Sequence, residues 1–81
     1  MNSRTRKYLA QSAAATLDGL VLDLLVEHND PIGLTEITRK LGLYDNTPEG
    51  YRGWIVTECL FCLEANGDVD HVGNKWVVIN Q

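Results

Sequence analysis

The residues with the chemistry for catalysis or metal binding are few, and their spacing does not assemble them into a site. Cys59 and Cys62 lie three residues apart in a predicted helix, which separates their side chains by about 5–6 Å, too far for a disulfide bond. A structural zinc site needs about four ligands, and the spacings of His28 and His71 match no familiar zinc motif. A Cys62 nucleophile with His71 as its base would need a cleft and an orienting group. We therefore predict no enzymatic activity, no metal or cofactor, and two thiols that fill core space.

Charge is distributed unevenly along the chain. Residues 1–17 contain three basic residues and no acidic ones, a sum of +3. Residues 18–81 contain four basic and eleven acidic residues, a sum of −7, and the two parts add to the net charge of −4. Affinity for nucleic acid comes largely from cations that neutralise phosphates, so the acidic body argues against tight, sequence-independent binding. Binding through one basic edge remains open.

Length and composition indicate one small globular domain, with 81 residues of which 44% are hydrophobic and 22% charged. A domain of this size buries only about 60% of its unfolded surface, so we expect modest stability that association can raise. No run approaches the roughly 20 uninterrupted apolar residues of a membrane span. Polar residues also interrupt the alanine-rich start, so we expect neither a signal sequence nor membrane contact, and a cytoplasmic location.

The first half of the chain predicts two helices. Alanines and leucines at three- and four-residue spacing predict a long helix over residues 5–28. Pro31 disfavours helical conformation in the residue before it, and residues 32–34 are predicted to be a short extended segment. A second helix is predicted to begin with Thr35 as its N-cap and to end at Gly42. Its predicted solvent-facing residues are Thr38, Arg39 and Lys40.

A third helix is predicted to follow Thr47-Pro48-Glu49. This triplet combines a capping hydroxyl, a proline for the first helical position and an acid near the positive end of the helix dipole. The helix is predicted to run to about residue 66, because Gly67 is a typical residue to follow a helix. The stripe predicted to face the core consists of Val56, Leu60 and Leu63.

The end of the chain predicts a β-hairpin. Residues 69–72 and 75–79 are rich in β-branched and aromatic residues, and Gly73-Asn74 between them favours a tight turn with positive backbone angles. Trp76 is predicted to be a core residue that anchors the hairpin to the helices. His71 is predicted to be a surface residue.

This order of helix, short strand, helix, helix, strand and strand resembles the winged helix-turn-helix superfamily, many of whose members bind DNA. Three stretches carry the resemblance. Residues 34–42 are similar to the first motif helix and its turn, residues 56–69 to the recognition helix and the segment that leads into the wing, and residues 71–79 to the wing strands. The resemblance implies an α+β fold with a three-helix core and a C-terminal β-hairpin wing. It implies a winged helix-turn-helix domain at residues 17–81, with residues 1–16 as an N-terminal helical extension or arm.

The resemblance also implies a function, namely that of a small transcriptional regulator that binds double-stranded DNA. The third helix, around residues 48–66, would enter the major groove while the second helix crosses the phosphate backbone. Carried over by position, the nucleic-acid-binding residues would be Thr38, Arg39, Lys40, Tyr51, Arg52, Trp54, Thr57 and Lys75. The chain length before Leu17 and the aromatic residues of the third helix predict a homodimer through the N-terminal helix.

The residues themselves support an alternative, a protein–protein interaction module without DNA binding. If the predicted inner stripe faces the core, then Trp54, Glu58 and Phe61 project to the opposite side. Aromatic residues on an exposed helix face indicate a contact surface. Three occupants stay open at this point: the chain's own N-terminal helix or a second copy, a partner protein, and unpaired bases stacked on the rings.

Overall fold

The computed structural model describes residues 1–43 and 53–79. Within these two ranges the structure has three helices and three strands in the predicted order, so the α+β class is confirmed. The helices are α1 (Ser3–His28), α2 (Leu34–Lys40) and α3 (Gly53–Ala65), and the strands are β1 (Ile32–Gly33), β2 (Val69–Val72) and β3 (Lys75–Val78). The predicted helix start at residues 47–49 lies outside the described residues, as do Tyr51 and Arg52.

Helix α1 is a single helix whose ends are set by two asparagines. Asn2 is extended, and its side-chain oxygen accepts a hydrogen bond of 2.8 Å from the Thr5 N–H, which satisfies one of the free donors of the first turn. Asn29 ends the helix in the left-handed conformation, with φ 58°, and its N–H donates to the Leu25 carbonyl. The predicted end before Pro31 is therefore confirmed, and the helix begins two residues earlier than predicted.

Helix α2 corrects two predictions. Its N-cap is Gly33 rather than Thr35, because the chain passes from β1 into the helix with no intervening loop. Thr38, predicted to face solvent, is only 1% exposed. The predicted end is confirmed, since Gly42 has φ 73° and the Leu43 N–H donates to the Thr38 carbonyl.

The sheet is antiparallel with the strand order β1-β3-β2. Strand β3 is central, and its Trp76 lies opposite Ile32 on one side and His71 on the other. The hairpin turn has φ 63° at Gly73, and Asn74 is not in the positive-φ region. A positive angle at the first central residue alone is the pattern of a type II′ turn, for which glycine is suited.

The core is centred on α3, as the sequence predicts. Val56 and Leu60 are fully buried and Leu63 is 5% exposed. They pack in one cluster with Val21 and Leu25 of α1 and with side chains of α2 and the sheet. Trp76 is 4% exposed, which confirms that it ties the hairpin to this cluster.

Among the described residues, one helix, α1, is long and apolar enough to cross a membrane, with a mean hydropathy of 1.4 in its most apolar window. The same test is passed by core helices of soluble proteins and by signal sequences. Most of that window is exposed on the protein surface, and α1 buries only Val21 and Leu25 fully. Length and composition alone therefore do not assign α1 to a membrane.

Replacing Leu60 by alanine should destabilise the fold strongly. Leu60 is fully buried, and removing a buried leucine side chain typically costs about 2–5 kcal/mol. Val26, which is 55% exposed on α1, is the matched control, because Val26→Ala should change the free energy of unfolding by no more than about 0.5 kcal/mol. Urea denaturation followed by circular dichroism measures both. Equal losses in the two variants would contradict the assignment of the α3 core stripe.

Candidate interaction surface on helix α3

The side of α3 opposite the core carries Trp54, Glu58 and Phe61, which we call the α3 face. Trp54 is 64% exposed, Phe61 is 47% exposed, and Glu58 is exposed as well. The three residues follow one another at spacings of four and three, which places them on one side of a helix. The prediction that they project away from the core is confirmed. The protein's own α1 does not cover them, because it packs on the opposite side of α3 against the core stripe.

An aromatic cluster joins the α3 face to the hairpin. The rings of Phe61 and Trp76 meet edge to face with centroids 5.7 Å apart, a favoured geometry for aromatic pairs. The His71 ring stacks on Trp76 at 3.8 Å with an angle of 4° between the ring planes. Phe61 and His71 remain exposed around the buried indole, so the end of the α3 face is continuous with the side of the β2–β3 hairpin that carries His71 and Trp76.

The sequence predicts His71 only as a surface residue, although the hairpin contains a signal for its stacking on Trp76. With Gly73-Asn74 as the turn, the register pairs His71 with Trp76, and directly paired residues lie on the same side of a sheet. A residue paired with a buried tryptophan is in contact with it even when its other side meets solvent.

Two threonines proposed for DNA contact direct their hydroxyl groups into their own helices. Thr38 Oγ1 donates to the Leu34 carbonyl at 2.8 Å, and since the residue is buried, the prediction that it contacts phosphate is wrong. Thr57 is half-buried, and its Oγ1 donates to the Gly53 carbonyl at 2.9 Å. The Thr57 oxygen can still accept a hydrogen bond, but its proton is committed to the helix backbone.

The cations proposed for DNA contact occupy different parts of the surface. Arg39 and Lys40 are exposed at the end of α2, and Lys40 also lines a groove between α1 and α2. Lys75 is exposed at the start of β3. Because side chains alternate along a strand, it projects from the side of the sheet opposite to Trp76. Within Gly53–Ala65 the charged residues are two carboxylates and no cation.

The two cysteines differ, which corrects the prediction that both fill the core. Cys59 is 7% exposed, whereas Cys62 is exposed, and both thiols are free. Burial raises the pKa of Cys59 to about 12, and a hydrogen bond to the Asp18 carboxylate, together with the charge of that carboxylate, contributes to the rise. Among the described residues no group of three or more histidine, cysteine or acidic side chains could hold a metal ion.

Comparison with known proteins identifies no relative of this chain. No protein-family model, no curated protein and no solved structure matches it.

Alkylation of the native protein at pH 8 should modify Cys62 and spare Cys59. The thiolate is the reactive form, and the raised pKa of Cys59 keeps that thiol protonated. Iodoacetamide labelling followed by peptide mass spectrometry measures each site, and labelling in urea, where both sites react, is the control. Rapid modification of Cys59 in the folded protein would show that it is not buried.

The raised pKa of Cys59 should also lower the free energy of unfolding as the pH rises from about 9 towards 12, because the thiol of the unfolded chain loses its proton first.

Proposed function

We propose that this chain is a small module that binds double-stranded DNA, with the N-terminal end of α3 directed towards the major groove. The observation that carries the proposal is the arrangement of the three helices around the β1-β3-β2 sheet, with the α3 face exposed beside the hairpin. In the winged helix-turn-helix arrangement that this resembles, the N-terminal residues of the recognition helix contact base edges. Trp54 lies at that end of α3 and is exposed.

Because α3 carries two carboxylates and no cation, the proposed phosphate contacts come from residues outside Gly53–Ala65. The cations of residues 18–81 are Arg39, Lys40, Arg52 and Lys75. Glu58 on the α3 face repels phosphate. In the proposed complex the cations on either side of α3 therefore contact the DNA, and the middle of the helix contributes little to the affinity. Such an interface is weak at physiological salt, because each phosphate contact contributes through counterion release.

Titration of a mixed-sequence duplex should show binding that salt weakens steeply. With about four phosphate contacts, the logarithm of the association constant should fall with the logarithm of the salt concentration with a slope near −3.6. Lys75→Ala should weaken binding to all sequences alike and reduce the slope by about 0.9. Fluorescence anisotropy with a labelled duplex at 50 mM and 200 mM salt measures both quantities. Absence of binding at tens of micromolar protein and low salt would overturn the proposal.

A second candidate function, recognition of a partner protein, is favoured by one observation. Trp54, Glu58 and Phe61 are exposed together, and Phe61 is continuous with the aromatic cluster of the wing. Aromatic residues are enriched in the buried centres of protein interfaces. A partner that covers this face would carry an apolar patch with a cation to pair with Glu58.

Glu58→Gln separates the two candidate functions. If α3 faces phosphates, removing this carboxylate should tighten DNA binding about two- to threefold, as Coulomb's law gives for a separation of about 7 Å in water. Glu64→Gln is the matched control, because it removes the same charge from an exposed position on another side of the same helix. The measurement is the same anisotropy titration. Equal effects of the two variants would remove α3 from the DNA interface and leave the partner protein as the better explanation.

A further inference from the structure

Helix α1 extends beyond the part of the protein that covers it. A helix of 26 residues is about 39 Å long, yet its two fully buried residues, Val21 and Leu25, both lie in its C-terminal third. Residues 1–11 are all exposed. The radius of gyration is 13.5 Å, whereas a compact domain of 81 residues has about 11.7 Å. The N-terminal half of α1 therefore has no partner within the described part of the chain.

A seam of apolar residues runs along α1 across the junction between its covered and uncovered halves. Its residues are spaced alternately by three and four, the pattern with which two helices pack along their length. They are Ala10, Ala13, Leu17, Leu20 and Leu24. Ala10 and Ala13 are exposed, Leu20 is 51% exposed, and the other two are half-buried. The seam carries small side chains at its N-terminal end and large ones at its C-terminal end.

An open groove of about 620 Å³ continues the C-terminal end of this seam between α1 and α2. Its apolar lining includes Leu20, Leu24 and Leu41, and its charged lining consists of the carboxylates of Asp23 and Glu27 and the ammonium group of Lys40, a balance that remains acidic. Small apolar side chains flanked by cations would complement this groove in both size and charge.

From these features we infer that the protein forms a symmetric antiparallel dimer, in which the N-terminal half of α1 of each copy lies in the groove of the other. Three cations, Arg4, Arg6 and Lys7, precede the alanines of α1, so they reach the acidic groove when the alanines meet the leucines. A parallel dimer would place these cations against one another. Charge therefore selects the antiparallel orientation.

The register follows from the same complementarity. With Leu17 of both copies at the two-fold axis, Ala10 lies opposite Leu24 of the second copy, and Lys7 lies opposite its Glu27. In this register Leu24 and Leu20 of the second copy lie opposite Ala10 and Ala14, and Lys7 is the cation that lies opposite a carboxylate of the groove. The same patch of each copy contacts its equivalent, as a two-fold axis requires.

This inference does not depend on the proposed DNA binding, because none of the residues in the seam belongs to the α3 face.

Size-exclusion chromatography with light scattering on the full chain, from 1 to 200 µM, tests the dimer. The wild-type mass should correspond to two chains at the upper concentrations. Ala13→Glu places a charge in the seam and should raise the dissociation constant at least about tenfold. Ala15→Glu is the matched control, because it adds the same charge at an exposed position on another side of α1. It should leave the mass unchanged, and circular dichroism should show that both variants fold.

Charge reversal tests the orientation. Lys7→Glu and Glu27→Lys should each weaken the dimer about fivefold, and the double variant should restore it, because the reversed charges meet again in the antiparallel register. Failure of the double variant to restore the dimer would overturn the register.

Three other results would overturn the dimer itself: a wild-type monomer at 200 µM, equal effects of the two alanine variants, or a monomer that co-sediments with phosphatidylglycerol-containing vesicles. If the wild-type protein is a dimer but does not bind DNA, that result would count against the proposed function and not against the dimer.

Discussion

The burial of one stripe of α3 is the interaction on which the rest of the structure depends. Val56, Leu60 and Leu63 pack against α1, α2 and the sheet, and this contact fixes the rotation of α3 about its axis. A helix with a fixed rotation has a fixed outer side, so the same packing that stabilises the domain exposes Trp54 and Phe61. Core and candidate interaction surface are two consequences of one contact.

Residues with a strong local preference predict the outline of this fold. Pro31 marks the end of α1, Gly42 and Gly67 mark the ends of α2 and α3, and Gly73 marks the hairpin turn. In each case the conformation depends on a residue whose allowed backbone angles differ from those of other residues. Such positions can be identified without knowledge of the tertiary structure.

The errors concern side chains whose environment is set by distant parts of the chain. The spacing within α2 does not show that Thr38 is buried, because that depends on how closely α3 packs against α2. A Cβ added at Gly53 of α3 would lie 3.8 Å from the Thr38 Oγ1. Cys62 is exposed because it follows the rotation of α3 rather than the general preference of cysteine for burial. Local pattern predicts which elements form, and tertiary packing decides which polar groups remain available for binding.

Self-association and DNA binding draw on one limited set of cations. If Arg4, Arg6 and Lys7 meet Asp23 and Glu27 of a second copy, they cannot also neutralise phosphates, because each charge pairs with one partner at a time. The dimer would then approach DNA with the cations that follow residue 17 and lie outside the groove, which are Arg39, Arg52 and Lys75, and each copy would contribute one set. A chain with four cations and eleven carboxylates after residue 17 is a weak binder as a monomer, since affinity depends on the number of phosphates neutralised. Two copies held by α1 would double that number. In this way, the basic segment of an acidic protein would strengthen DNA binding indirectly, by joining the two copies.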